Sequence, residues 1–91
     1  MANVTLHLLN IFALKVKKNA INYNADTVGE VISQFLEDHG DKLDKSLMKR
    51  KKLADDILIL VNGKNVDYLD GYKTKLSDED KIYISIPLSG G

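Results

Sequence analysis

No cysteine occurs anywhere in the 91 residues. That excludes a disulfide, a thiol nucleophile and a thiolate metal site. Any chemistry at sulfur must use sulfur brought by a partner, and the lack of covalent staples favours the cytosol. Net charge is missing too: 13 basic residues balance 13 acidic ones. A general nucleic-acid binder carries a basic excess, so this balance argues against one. No apolar run approaches the ~20 residues needed to span a bilayer. Met1 to Asn10 lacks a basic stretch, an apolar stretch and a small-residue cleavage site, so no signal peptide is expected. The Asn3-Val4-Thr5 sequon therefore carries no weight. Length is short as well, enough for one domain that buries ~60–65% of its unfolded surface. A modest core fits that size; a deep, walled catalytic cavity does not.

What is present reads as an ordered series of strands around one helix. Val4 to Phe12 is β-rich and apolar, and reads as a strand. Lys15, Lys17, Lys18 and Asn19 supply a polar turn, and Ala20 to Asn24 alternates, so the two segments suggest a hairpin. Asp26-Thr27-Val28-Gly29-Glu30 opens a helix that either Asp26 or Thr27 can cap, with capping-box spacing from Thr27 to Glu30. Val28, Val31, Ile32, Phe35 and Leu36 form its apolar stripe, and Gly40 is expected to end it as a left-handed cap. Asp41 to Asp56 is lysine-rich and reads as a loop with one helical turn. Ile57 to Val61 is a continuous apolar run that predicts a central strand, followed by the tight-turn pair Asn62-Gly63. Val66 to Leu69 predicts a short edge strand. Ile82 to Ile86 alternates strictly, its isoleucines on one face and Tyr83 and Ser85 on the other, until Pro87 ends the ladder. One helix across a mixed sheet of four to five strands is an α+β roll.

After Pro87 come Leu88, Ser89, Gly90 and Gly91. Two glycines at a terminus arise by chance roughly once in two hundred at ordinary glycine usage. Their place after a strict strand and a proline raises their meaning. If Gly91 bears the free α-carboxylate, that group is a poor electrophile until it attacks the α-phosphate of ATP to form an acyl-adenylate. A narrow enzyme channel admits a backbone with no Cβ to obstruct it. Four residues past Pro87 reach roughly 13–14 Å. That length carries a carboxylate from a docked body into a neighbour's active site.

On these residues the chain resembles the MoaD/ThiS family of sulfur carriers and its archaeal modifier relatives. The match is carried by Val61-Asn62-Gly63, Asp70-Gly71, Leu76 to Asp80, Ile82 to Pro87, Gly90-Gly91, and the helix entry Thr27 to Ile32. Glu79 departs from the pattern, since relatives usually have glycine between the two acidic residues; that puts the turn geometry in question. The resemblance implies a β-grasp (ubiquitin-like) roll over residues 1–87, first and last strands side by side, with a flexible tail at 88–91. It implies a carrier and not an enzyme: a monomer when free, cytoplasmic, with no bound cofactor or metal. A partner activating enzyme would spend ATP to adenylate Gly91, with Leu88, Ser89 and Gly90 inserted in that partner. A thiocarboxylate would follow and pass its sulfur to a synthase subunit. The long segment before Ile57 argues against the compact thiamine type and leaves the molybdopterin-type and modifier-type readings open; the molybdopterin-synthase small-subunit type is placed first. Two alternatives stand beside it: a protein modifier joined to target-protein lysines through Gly91, and a ubiquitin-like interaction domain that is never activated.

Strand parity places His7, Leu9, Leu58, Leu60 and Tyr83 on the sheet face away from the helix, a candidate partner surface. The competing expectation is that the 41–56 segment covers Leu58 and Leu60. Lys49-Arg50-Lys51-Lys52 reads as a solvated loop ahead of a nucleic-acid contact, given the zero net charge. His7 and His39 read as ordinary side chains, and Asp78, Glu79 and Asp80 as a turn rather than a cation site.

Overall fold

A computed structural model describes residues 1–87. In chain order its elements are β1 (Ala2–Leu8), α1 (Ile11–Val16), β2 (Ala20–Ala25), α2 (Val28–His39), β3 (Met48–Lys49), β4 (Lys52–Leu53), β5 (Leu58–Val61), β6 (Lys64–Asn65) and β7 (Lys81–Ser85). Five strands form one mixed sheet in the order β2-β1-β7-β5-β6, and β3 and β4 form a separate two-stranded ribbon. β1 and β7 lie side by side and parallel, with Leu6 opposite Ile82 and Leu8 opposite Ile84. One helix crossing a mixed sheet with first and last strands adjacent is the β-grasp arrangement. Among the described residues no helix is long and apolar enough to cross a membrane.

Period-two alternation decides which side of the sheet becomes core. Val4, Leu6 and Leu8 of β1, Ile59 and Val61 of β5, and Ile82 and Ile84 of β7 are all buried. They meet the stripe of α2, where Val28, Val31, Ile32 and Phe35 are fully buried. The Thr27 side chain caps α2 by accepting from the Glu30 N–H at 3.3 Å. The Glu30 carboxylate returns to the Asp26 N–H at 3.0 Å, one residue beyond the usual capping box. Gly29 lets the Gly71–Lys73 turn lie close: a Cβ there would stand 3.1 Å from the Tyr72 carbonyl oxygen. Asn62 (φ 51) and Gly63 (φ 88) make the two-residue loop between β5 and β6, both left-handed as a type I′ turn requires.

Four sequence expectations change. β1 stops at Leu8, and Ile11–Val16 is a short helix instead of strand, so β1 and β2 are not joined by a tight turn. The sheet's partners run out there: β1 meets β7 last at Leu8 opposite Ile84, and β2 begins at Ala20 opposite His7. The chain turns inward and buries Phe12 and Val16, four residues apart on one helical face. Gly40 is right-handed (φ −58) and runs straight into a 3-10 turn at Gly40–Lys42 that delivers Leu43 to the core. The short edge strand is Lys64–Asn65; Val66–Tyr68 is a 3-10 turn entered through Asn65, whose side chain accepts from the Asp67 N–H at 2.8 Å. The 41–56 segment, expected as a loop with one helical turn, carries a 3-10 turn at Lys45–Leu47 and the two-stranded ribbon of β3 and β4.

Tyr23 is 7% exposed, and its hydroxyl is shielded without a partner among the described residues. Burial, helped by the Asp38 carboxylate, pushes its pKa up from 10.0 to about 12. The folded state therefore keeps the proton longer than the unfolded chain. The associated stability is full below pH 10, declines as pH rises towards 12, and amounts to about 2–3 kcal/mol at most. Tyr23→Phe is expected to flatten this alkaline decline. It should also leave stability at pH 7 equal or higher by about 1 kcal/mol, because it removes a polar atom that satisfies nothing. Urea midpoints at neutral and alkaline pH measure both effects.

Candidate functional site

The sheet face away from α2 carries the second set of alternating side chains. Thr5 and His7 of β1, Leu58 and Leu60 of β5, and Tyr83 and Ser85 of β7 are all partly exposed there. Register aligns Leu60, Tyr83 and His7 in one row across three strands. The His7 and Tyr83 rings stack with centroids 4.6 Å apart and planes 16° apart. His7 Nε2 is screened from solvent and has no partner among the described residues. A shallow depression runs over Leu60 and Tyr83, bounded by Leu9, by Asn62 and Gly63, and by Lys81. Leu9 is 41% exposed, unusual for a leucine beside a strand end. Leu58 stands opposite Ser85, at the end of β7 where the chain leaves the sheet.

The 41–56 segment does not cover this face. Its Leu43 and Leu53 are buried in the core, and the β3–β4 ribbon packs beside α2, with Met48, Arg50 and Lys51 lining a cleft against Leu36 and Glu37. An apolar patch is therefore left open across β5 and β7. Leu88, Ser89, Gly90 and Gly91, the residues expected to carry the chemistry, lie outside the described residues.

A model of the ThiS family matches residues 11–91. The chain belongs to the ThiS family. It is 34% identical over 65 residues to a protein of Archaeoglobus fulgidus named "putative sulfur carrier protein", a stretch covering 71% of this chain and 74% of that one. It is 32% identical over 89 residues to small archaeal modifier protein 3 of Haloferax volcanii, covering 94% and 96% of the two chains. The solution structure of small archaeal modifier protein 1 from Methanosarcina acetivorans superposes with a TM-score of 0.86 at 26% identity, covering 100% of this chain and 98% of that one. This ThiS-family chain is thus a ubiquitin-like β-grasp member of a group of sulfur carriers and small archaeal modifiers.

The remaining candidates of this ThiS-family chain take the roles ordinary side chains take. His39 packs its ring 5.7 Å from that of Phe35, and its Nδ1 lies 3.3 Å from Lys42 Nζ. Burial first, then the Lys42 cation, lowers its pKa below 6.5. Asp78, Glu79 and Asp80 form a turn fastened by their own hydrogen bonds. Asp78 accepts from the Asn3 N–H at 2.9 Å, and Asp80 accepts from the Ser77 N–H and the Asn62 side chain at 2.8 and 2.9 Å. Glu79, where the resemblance leads one to expect glycine, sits at φ 72, a backbone region that favours glycine. Among the described residues no three His, Asp or Glu gather as metal ligands. Lys49-Arg50-Lys51-Lys52 forms the β3–β4 ribbon and its turn, with Arg50 at φ 61 and Lys49 paired to Asp55 at 3.2 Å. Sequence reading missed Asn62 and Lys81 at the margin of the depression. The parity that selected Tyr83 also selects Lys81, two residues earlier on β7.

Proposed function

We propose that this chain is a ubiquitin-like sulfur carrier whose Gly91 carboxylate is activated by a separate ATP-using enzyme docked on the open sheet face. The observation that supports it most is the uncovered Leu9–Leu60–Tyr83 depression, whose Tyr83 lies on β7, the last strand before Gly90-Gly91 in the sequence. Residues 1–87 form the body that docks, and residues 88–91 the extension that enters the partner. The Gly91 carboxylate attacks the α-phosphate of ATP and expels pyrophosphate, giving an acyl-adenylate. The terminal sulfur of a donor persulfide then displaces AMP, and a donor thiol cleaves the resulting acyl disulfide to a thiocarboxylate and a disulfide. The chain is substrate and carrier throughout. It supplies no acid, base, metal or bound cofactor, and it works in the cytoplasm as a free monomer. We place the molybdopterin-synthase small-subunit type first, with a synthase subunit as sulfur acceptor; the length of the 41–56 segment argues against the compact thiamine type and is compatible with the modifier type as well.

A second reading has its own support: the relative named as a modifier aligns over more of this chain than the one named as a sulfur carrier. In that case a target lysine amine displaces AMP and forms an isopeptide bond. Intact mass after incubation with ATP, activating enzyme and sulfur donor separates the readings. A gain of about 16 mass units, oxygen replaced by sulfur, supports the carrier; ladders on lysines support the modifier; an unchanged mass leaves a passive interaction domain.

The docking surface has a kinetic signature of its own. Leu60→Lys puts a charge into the depression and should raise KM for the carrier about tenfold, as loss of a buried interface anchor does, with little change in kcat. Lys45→Ala, remote from that face, should leave KM unchanged. Equal KM values for Leu60→Lys and the unaltered chain would place the docking surface elsewhere.

A further inference from the structure

Asn10 gives up two local preferences at once. Its backbone sits at φ 55, ψ −130, a region where glycine is favoured and a side chain is strained. It also occupies the N-cap of α1, where asparagine is among the best residues, yet its side chain makes no capping hydrogen bond. That side chain instead meets the Ser85 hydroxyl, 75 residues away in sequence, at the last position of β7. Ser85 Oγ in turn donates to the Ile86 carbonyl oxygen at 2.9 Å. The Ser85 hydroxyl thus lies between two acceptors, Asn10 Oδ1 and the Ile86 carbonyl oxygen, and its one proton serves one of them at a time. Nearby, the Leu9 N–H donates to the Ile84 carbonyl at 3.1 Å, and the Ile86 side chain packs against the core. Local strain accepted for a distant contact marks a position that the surrounding structure over-determines.

The contact lies where the chain departs the sheet towards Gly91. We infer that Asn10 and Ser85 form a latch that fixes the direction of departure at Ile86–Pro87, and so aims the C-terminal carboxylate into the activating enzyme. The inference rests on the activation reading above and names the residues that position its reacting group. Its magnitude follows from lever length. Four residues reach at most roughly 14 Å, so a change of about 15° at Ile86–Pro87 could displace the far end by up to about 4 Å. Misplacement of about 1 Å can cost a hundredfold in a positioned reaction, and the tail's own freedom recovers part of that. Asn10 and Ser85 are positioning residues; they touch no reacting atom.

Asn10→Gly, Ser85→Ala and Ser85→Thr test this with the full-length chain, the activating enzyme and ATP. Asn10→Gly relieves the positive φ, so its melting temperature should equal or exceed that of the unaltered chain. Its kcat for acyl-adenylate formation, read by pyrophosphate exchange, should nevertheless fall about tenfold, with KM for the carrier held within about twofold. Ser85→Ala should do the same, and Ser85→Thr, which keeps the hydroxyl, should recover most of the loss. A merely structural contact would lower the melting temperature and kcat together, or leave both alone; either result overturns the latch. If the unaltered chain is activated and all three variants match it, the latch alone falls. If the unaltered chain shows no exchange, the activation reading falls and the latch with it.

Discussion

Removing Gly91 is expected to abolish acyl-adenylate formation and leave the unfolding midpoint where it was. The truncated chain still ends in a carboxylate, now on Gly90, so chemical identity is preserved and only position changes. One residue shortens the reach by roughly 3.3–3.6 Å. Torsional freedom can correct the direction of an extension but cannot restore missing length, so the carboxylate falls short of a reaction in which about 1 Å of misplacement costs a hundredfold. Restoring length with a different residue separates position from bulk: Gly91→Ala keeps the carboxylate in place and adds one methyl in the enzyme channel. Its kcat should lie between those of the full chain and the truncation. Stability should be unmoved because the core among the described residues ends at Ile84, with Ile86 only half-buried and Pro87 exposed. Intact mass and pyrophosphate exchange measure the first effect, and thermal unfolding the second. Persistent adenylation of the truncated chain would mean that the activated group is not the Gly91 carboxylate. A lower midpoint would assign the glycines to the fold.

The sheet was readable where one face is dry and the other wet, because period two then writes itself into the residues. Ile82 and Ile84 against Tyr83 and Ser85 is the plainest case, and the same parity placed His7, Leu58, Leu60 and Tyr83 on the outward side. α2 was readable from its stripe and its Thr27 cap, and the Asn62-Gly63 turn from its two left-handed positions. α1 was not readable as a helix. Leu8 to Phe12 is a short apolar run, which a buried strand and a buried helix share; the i, i+4 pair Phe12 and Val16 was the only sign of a helix. The left-handed cap expected at Gly40 failed for a tertiary reason. Burial of Leu43 calls for the chain to carry on in a 3-10 turn, and a local glycine preference does not outweigh that. The 41–56 segment was illegible because lysines on a two-residue-per-strand ribbon have no periodicity to show. Its docking beside α2, which leaves the outward face open, is decided by Leu43, Met48 and Leu53, too sparse to form a pattern. The Asn10–Ser85 contact joins residues 75 apart, and no local rule couples an uncapped asparagine to the far end of the chain.

Phe35→Ala should be the most damaging single substitution in the body of the protein. Phe35 is fully buried on α2, and its ring meets Phe12 edge to face, centroids 6.5 Å apart and planes at 66°. It therefore joins the helix that crosses the sheet to the short helix that follows β1, and packs also against His39 one turn along its own helix. Truncation removes the transfer energy of a fully buried ring and leaves a cavity, a loss of about 3–5 kcal/mol. A domain of this size holds roughly 5–14 kcal/mol in total. At about 4–8 °C per kcal/mol, the melting temperature should drop by about 15 °C or more. Leu14→Ala supplies the contrast, because Leu14 is a large apolar residue on α1 that is 73% exposed, and its loss should stay within about 0.5 kcal/mol. The pair also tests how α1 is held. If the helix is held by Phe12 against Phe35, Phe35→Ala should release it first, seen as faster amide exchange at Leu14 and Lys17 than at β7. Uniform exchange across the whole chain would show instead that α1 and the sheet unfold as one unit.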